Sequence, residues 1–161
     1  MRKGMCLVLA LVLCVGLCAC AESKADPRVT YDPVNIGDYK IAFDGAQVYT
    51  PGDTDYLLFY YNFTNNSKEA VKPCTKVVVQ ATVNDEPVRS IAFLKNQQPP
   101  EYNNHERMLE PGETIRCVAP LQGLKNGGGT YEIIVMDLYH EQEEQLVITF
   151  DSMNLPIVVK K

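Results

Sequence analysis

The chain has 161 residues and a formal net charge of −5 at pH 7, and 46% of its residues are hydrophobic. This length predicts one domain with a core that needs no disulfide or metal to support it. The acidic balance argues against binding to nucleic acid or to anionic lipid, because both attract positively charged surfaces.

The first nineteen residues have the pattern of a secretory signal. Two basic residues precede an apolar run over residues 5–17, and small residues follow it. A membrane-spanning helix needs about 20 apolar residues, and polar residues from Glu22 onward end this run earlier. The sequence therefore predicts a signal peptide over residues 1–19, with an uncleaved anchor as the alternative.

Two cleavage sites compete at the end of this signal. Ala19–Ala21 ("ACA") fits the small-x-small rule of ordinary signal peptidase. Leu17–Cys20 ("LCAC") resembles a bacterial lipobox, whose cysteine receives a diacylglyceryl group and becomes the new amino terminus. Cys18 fits this role poorly because the bulky Leu17 precedes it, whereas a small residue precedes Cys20. The sequence predicts a lipid anchor at Cys20 on the outer face of the cytoplasmic membrane, with secretion as the alternative.

Cleavage before Cys20 changes both the charge and the cysteine count. Two of the 15 basic residues leave with the signal, so 13 basic and 20 acidic residues remain, a charge of −7. Cys74 and Cys117 are then available for a disulfide, as is common in exported proteins. Alternation places the two side chains on different faces. Cys117 lies on the same apolar face as Ile115. The apolar positions after Cys74 are odd-numbered, so the even-numbered Cys74 points away from their face. A disulfide and two free thiols both stay open.

Residues 20–37 contain two prolines and no periodicity, which predicts a tether. From residue 38 onward, apolar residues alternate with period two between turn signals, and no helical period is sustained. The predicted strands cover residues 39–48, 56–64, 75–83, 87–93, two pieces within 107–121, 130–139 and 145–152. Gly45 predicts a bulge or bend in the first of them. The sequence predicts an all-β, antiparallel, immunoglobulin-like β-sandwich of about seven strands over residues 38–161.

Several segments of this region also resemble a known family. They are YKIAFDGAQV, DYLLFYYNFTNNS, LEPGETIRCVAPLQGL, YEIIVMDLY and LVITFDS. Together with the lipobox, they resemble the uncharacterised lipoproteins of Gram-positive bacteria that carry a telokin-like, immunoglobulin-like domain. The resemblance spans roughly residues 35–155. It implies the fold, lipid anchoring and extracellular exposure, but no activity and no functional residue except Cys20.

The sequence predicts neither an enzyme nor a cofactor. Its two histidines, His105 and His140, lie in predicted loops, and no G-x-S-x-G motif is present. Cys117 lies on an apolar strand face, where a thiol is usually inert. No set of residues therefore points to a catalytic site.

Metal binding is the alternative function. His105 and Met108 are weak candidate ligands, because imidazole and thioether groups suit copper. Acidic loops at residues 52–55 and 141–144 offer oxygen ligands for calcium, although neither matches an EF-hand loop. A copper- or calcium-handling protein outside the cytoplasm is the corresponding hypothesis.

Two surfaces are candidates for binding a partner. One is the outward face of the strand over residues 56–64, formed by Tyr56, Leu58 and Tyr60. Aromatic side chains of this kind form good interfaces, unless the tether, the tail or a neighbouring strand covers them. The other is the loop over residues 94–106, which contains Tyr102 and His105. The sequence thus predicts a non-enzymatic binding module with a protein or cell-envelope partner and no nucleic acid.

Overall fold

The computed structural model describes residues 31–51, 53–122 and 129–151. These residues form eight strands and three short 3₁₀ helices, and they contain no α-helix. The strands are β1 (Val34–Ile36), β2 (Tyr39–Tyr49), β3 (Tyr56–Asn65), β4 (Val77–Val83), β5 (Glu86–Val88), β6 (Thr114–Leu121), β7 (Thr130–Asp137) and β8 (Leu146–Asp151). The 3₁₀ helices are Pro73–Thr75, Lys95–Gln97 and Asn104–Glu106.

The strands form two antiparallel sheets of four strands each. The first sheet has the order β1-β2-β3-β6, and the second has the order β5-β4-β7-β8. Inward-facing side chains of both sheets make one core, to which β3 contributes Leu57, Phe59, Tyr61 and Phe63. Burying each such side chain contributes about 1.5–3 kcal/mol. The predicted all-β antiparallel sandwich is confirmed, with eight strands rather than about seven.

β2 contains the bulge that Gly45 predicted. Its register with β3 shifts between Phe43 and Gly45, and Gly45 has a φ of 111°. L-residues rarely adopt this backbone conformation, whereas glycine adopts it without steric strain. Ile41 and Ala46 are both fully buried although one is odd-numbered and the other even-numbered, because the bulge changes the phase of the strand.

The sandwich begins before residue 38, inside the segment predicted to be a tether. β1 pairs with β2, and Ile36 is buried. Tyr31 meets the ring of Phe43 edge-on at 5.4 Å, and its hydroxyl donates a hydrogen bond of 2.7 Å to the carbonyl of Thr149. Tyr31 therefore links β2 of the first sheet to β8 of the second.

Some predictions lie outside the described residues. They concern the signal peptide over residues 1–19, the lipid attachment at Cys20 and the tail after residue 151. Within the described part of the chain, no helix is long and apolar enough to span a membrane.

The predicted strand over residues 87–93 is in fact a crossing between the two sheets. β5 pairs with β4 and ends at Val88. Ser90 then forms an isolated bridge with Leu121 of β6, and the amide of Ile91 donates to the carbonyl of Pro120 at 3.0 Å. This crossing brings the following residues onto the outer face of the first sheet.

β3 ends at a buried asparagine. The side-chain amide of Asn65 donates to the carbonyls of Glu69 at 2.8 Å and Leu109 at 3.0 Å. Its Oδ1 accepts from the backbone amide of Ser67 at 3.0 Å and from the Ser67 hydroxyl at 2.7 Å. These four bonds satisfy the side chain, which is fully buried, and they fix the turn that follows.

Cys74 and Cys117 are free thiols in this structure. Cys117 is buried on the core face of β6, and Cys74 is half-buried in the 3₁₀ helix Pro73–Thr75. Burial raises the pKa of Cys117 from 9.0 to about 12, although the hydrogen bond from the Tyr61 hydroxyl lowers it in part. The thiol therefore keeps its proton at neutral pH and is a poor nucleophile.

Candidate functional site

The two predicted binding surfaces form one structural unit. The 94–106 loop folds back over the outer face of the first sheet, and the residue before it enters that face. Seven side chains pack together there and are called the aromatic cluster below. They are Tyr49, Tyr56, Leu58, Tyr60, Phe93, Tyr102 and Val118.

Phe93 is the centre of the aromatic cluster. Tyr49 and Tyr56 meet its ring edge-on, with centroid distances of 5.6 and 5.0 Å, and Tyr102 is tilted against it at 5.9 Å. Edge-to-face pairs bring the positive edge of one ring to the negative face of another and contribute about 0.5–1.5 kcal/mol each. The four rings therefore hold the loop and the sheet in a defined arrangement.

The cluster corrects the expectation of an exposed row along β3. Leu58 is 0% exposed and Tyr60 is 2% exposed, so neither side chain is available at the surface. Within the described residues, Phe93 and Tyr102 pack against this face, and the guanidinium of Arg116 on β6 lies over the Tyr60 ring. The accessible part of the predicted surface is the half-buried ring of Tyr56 together with the loop itself.

Amide and hydroxyl groups fasten the loop to the sheet. Asn104 donates from its side chain to the carbonyl of Arg116 at 2.8 Å. The Tyr49 hydroxyl donates to the carbonyl of Gln97 at 2.8 Å. These bonds satisfy backbone groups that would otherwise lack partners, which gives the polar composition of the loop a structural role.

Arg116 on β6 joins three parts of this site. Its guanidinium carbon lies 3.9 Å from the centroid of the Tyr60 ring, its Nε pairs with Asp44 in the β2 bulge, and its Nη1 donates to Glu101 in the loop at 2.9 Å. Burial and the nearby charge of Glu101 raise the pKa of Tyr60, although Arg116 and a hydrogen bond from Gln47 oppose the shift. The arrangement is a cation–π contact with two charge-assisted hydrogen bonds, and it fixes the loop by charge as well as by packing.

The accessible rim of the site consists of apolar and aromatic side chains. Leu94 is 69% exposed, and Tyr49, Tyr56 and Tyr102 are half-buried. His105 is half-exposed and meets the Tyr102 ring edge-on at 6.3 Å. We call these five residues the aromatic rim. Aromatic side chains are enriched in the contact surfaces of proteins, and the rim has this composition.

The predicted metal ligands lie in different surroundings. His105 packs on Tyr102, whereas Met108 is exposed and lines a cavity with Lys72 and Thr75. Within residues 31–51, 53–122 and 129–151, no group of three or more His, Cys, Asp or Glu side chains is placed to hold a metal ion.

One carboxylate of the 52–55 loop and one that precedes the 141–144 loop close turns. Asp55 accepts a hydrogen bond from the Thr50 hydroxyl, and Asp137 accepts one from the backbone amide of Glu141 at 2.8 Å. Each carboxylate therefore has a local structural partner, as is usual for aspartates in turns.

A domain family of unknown function, DUF5067, matches residues 21–122 of the chain. The chain belongs to the DUF5067 family. The match spans the whole aromatic cluster, from Tyr49 to Val118, and every strand of the first sheet. No protein with a curated function matches the sequence.

Two solved structures resemble this DUF5067 protein in fold. A candidate lipoprotein from Staphylococcus aureus matches with a TM-score of 0.51 and 11% identity, over 73% of this chain and 92% of that chain. A candidate lipoprotein from Bacillus subtilis matches with a TM-score of 0.51 and 10% identity, over 76% of this chain and 39% of that chain. The predicted resemblance to Gram-positive lipoproteins is confirmed at the level of the fold, whereas the telokin-like assignment is not confirmed by these matches.

Proposed function

We propose that this DUF5067 protein is a lipoprotein whose β-sandwich is a non-enzymatic binding module outside the cytoplasm. Cys20 would carry the lipid and hold the domain at the outer face of the cytoplasmic membrane. The lipobox supports this anchor, and the fold-level likeness to two candidate Gram-positive lipoproteins agrees with it. Several acyl chains on one residue give stable anchoring, at about 0.8 kcal/mol per buried methylene.

The aromatic rim is the observation that supports a binding role. Its rings stand on a fully buried layer, because Leu58 and Tyr60 lie beneath them. Rings that are already fixed lose little conformational entropy when a partner docks, so more of the contact energy remains as affinity. Leu94 directly follows Phe93 in the chain, and its exposed side chain would supply an apolar anchor. A protein surface or another cell-envelope component is the partner that this chemistry fits.

The absence of enzymatic activity is part of the proposal. Cys117 is buried and its raised pKa keeps the thiol protonated. His105 contacts an aromatic ring and lies 3.8 Å from Glu106, and its buried Nδ1 has no hydrogen-bond partner among the described residues. Neither group has the neighbour that nucleophilic catalysis requires.

Metabolic labelling with a fatty acid tests the anchor. The wild-type chain is expected to incorporate the label and to remain in the membrane fraction, and Cys20→Ser is expected to abolish both. Cys18→Ser is the matched control and is expected to label normally, because the residue before Cys20 is unchanged. Labelling and membrane retention of Cys20→Ser would instead place the lipid on another residue and contradict the assignment to Cys20, whereas release of the unlabelled wild-type chain would support cleavage by ordinary signal peptidase after Ala21.

Crosslinking on intact cells tests the binding role. Leu94→Ser is expected to reduce crosslinking to any envelope partner of the wild-type chain at least tenfold. Tyr139→Ser is the matched control, since Tyr139 is 65% exposed but lies outside the aromatic rim. Equal crosslinking of wild type, Leu94→Ser and Tyr102→Ala would show that the partner binds elsewhere.

A further inference from the structure

Two cavities open beside the turn that follows β3. One has a volume of about 420 Å³ and is lined by Asp38, Tyr39, Asn66, Ser67, Lys68, Glu69, Val71 and Lys76. The other has a volume of about 390 Å³ and is lined by Glu69, Ala70, Val71, Lys72, Thr75, Lys76 and Met108. They share Glu69, Val71 and Lys76 and so adjoin. We call them together the basic groove.

Lysines are concentrated in the basic groove. Lys68, Lys72 and Lys76 line it, and they are three of the five lysines among the described residues. Asp38 and Glu69 are the carboxylates of the same lining, so positive charge exceeds negative charge by one. The whole chain has a charge of −5, and the groove therefore differs in sign from the rest of the molecule.

The three ammonium groups are available to a ligand. In the described part of the chain, the ion pairs involve Arg116 or His105, and none involves these lysines. Lys68 and Lys72 are exposed. The Lys76 ammonium lies 5.7 Å from the centroid of the Tyr39 ring, a contact that leaves its N–H donors free. Like charges on one short segment repel each other, and an anion between them relieves that repulsion.

The backbone that carries these lysines is well fixed. The four hydrogen bonds of Asn65 define the turn at one end, and the backbone of Val71 pairs with that of Leu109 through bonds of 3.0 and 2.8 Å. Pro73 is buried and begins the 3₁₀ helix before Lys76. The lysines are thus held around one groove before any ligand arrives, which reduces the entropy lost on binding.

We propose that the basic groove binds phosphate groups, as carried by a chain of several phosphates or by an anionic lipid headgroup. Lysine is a compact point charge that recognises phosphate without bidentate geometry, and two adjoining cavities suit more than one phosphate. This site is separate from the aromatic rim and does not depend on the proposed binding role of that rim. The net negative charge of the chain argued against anionic ligands, but the basic groove carries a local positive charge.

Isothermal titration with inorganic polyphosphate tests the proposal, in the full chain carrying Cys20→Ser so that no acyl chain contributes. We expect binding at low ionic strength that weakens as salt increases. The variant Lys68→Gln/Lys72→Gln/Lys76→Gln is expected to bind at least tenfold more weakly. Lys40→Gln/Lys95→Gln is the matched control, since it removes the other two described lysines, which are both exposed, and it is expected to bind as the parent does.

Sedimentation with vesicles separates the two phosphate sources. Binding to phosphatidylglycerol vesicles but not to phosphatidylcholine vesicles, with loss in the triple variant, would assign the site to lipid headgroups. Binding to polyphosphate alone would assign it to a soluble phosphate chain. Absence of binding to both probes at low salt, or an equal loss in the Lys40→Gln/Lys95→Gln control, would overturn the proposal. Far-ultraviolet circular dichroism of each variant shows whether it is folded.

Discussion

At the scale of single residues, Arg116 determines how firmly the 94–106 loop is held. Arg116→Gln removes the charged partner of Asp44 and Glu101 and the cation above Tyr60. All three ionic side chains are partly solvated, so we expect the free energy of unfolding to fall by about 1–2 kcal/mol. Urea denaturation measures this change.

Arg107→Gln is the control for that substitution. Arg107 is an exposed arginine just after the loop, and its replacement is expected to leave stability unchanged within about 0.5 kcal/mol. Limited proteolysis of the loop should accelerate in Arg116→Gln and not in Arg107→Gln. Equal proteolysis of both variants would mean that the aromatic rings alone hold the loop.

Cys117 makes the stability of the domain depend on alkaline pH. Burial raises its pKa to about 12 in the folded chain, from 9.0. Below pH 9 both states keep the proton, so the stabilising contribution is complete. Between pH 9 and about pH 12 only the unfolded chain releases the proton, and the free energy of unfolding falls by up to about 1.4 kcal/mol per pH unit.

Denaturation in urea at several pH values checks this prediction. Cys117→Ala is expected to show a shallower loss of stability between pH 9 and pH 10 than the wild type. Burial also raises the pKa of Tyr61, which adds a separate loss of stability at higher pH. Identical slopes in the wild type and Cys117→Ala would contradict the assignment to the thiol.

At the scale of structural elements, Asn65 holds the end of β3 to two other segments. Asn65→Ala removes the amide that donates to the carbonyls of Glu69 and Leu109 and the oxygen that accepts from Ser67. We expect the free energy of unfolding to fall by about 2–4 kcal/mol, since four hydrogen bonds of a fully buried side chain are lost. Asn66→Ala changes the exposed neighbour and serves as the control, with no expected effect. A loss below about 1 kcal/mol in Asn65→Ala would mean that water replaces the amide.

The strands also show which structural features period-two alternation predicts and which it does not. It predicted the core face of β3 correctly, because Leu57, Phe59, Tyr61 and Phe63 are all buried between the sheets. It identified Tyr56, Leu58 and Tyr60 as the opposite face, but alternation carries no information about what covers a face. That depends on the crossing after Val88, which places Phe93 on the first sheet.

Short elements were missed or given wrong bounds for a related reason. β1 contains three residues, too few for a period to be recognised, and follows Pro33. β5 also contains three residues, and the sequence predicted it only as the start of a longer strand over residues 87–93. Arg116 was also not identified as a site residue from the sequence, because a single charged residue within a strand is usually exposed to solvent. Its two carboxylate partners lie 72 and 15 residues away in the chain, so no local pattern indicates the network.

At the scale of the whole molecule, both sheets join distant parts of the chain. β3 pairs with β6 from Leu57↔Leu121 to Thr64↔Thr114, and β4 pairs with β7 across residues 84–129. Such contacts require closure of long loops before they stabilise anything, and β-sandwiches of this kind fold in milliseconds to seconds. Stopped-flow refolding monitored by tyrosine fluorescence is expected to fall in this range, and refolding within microseconds would contradict it.

The position of Tyr31 limits the distance between the domain and the proposed membrane anchor. It is fixed to both sheets through Phe43 and Thr149, and the proposed anchor at Cys20 lies eleven residues before it. Eleven residues span at most about 40 Å even when fully extended. The domain would therefore search a thin layer next to the membrane, where any ligand in that layer is met at a high effective concentration. Under this constraint, a weak individual contact would give higher occupancy than the same contact made by a freely diffusing domain.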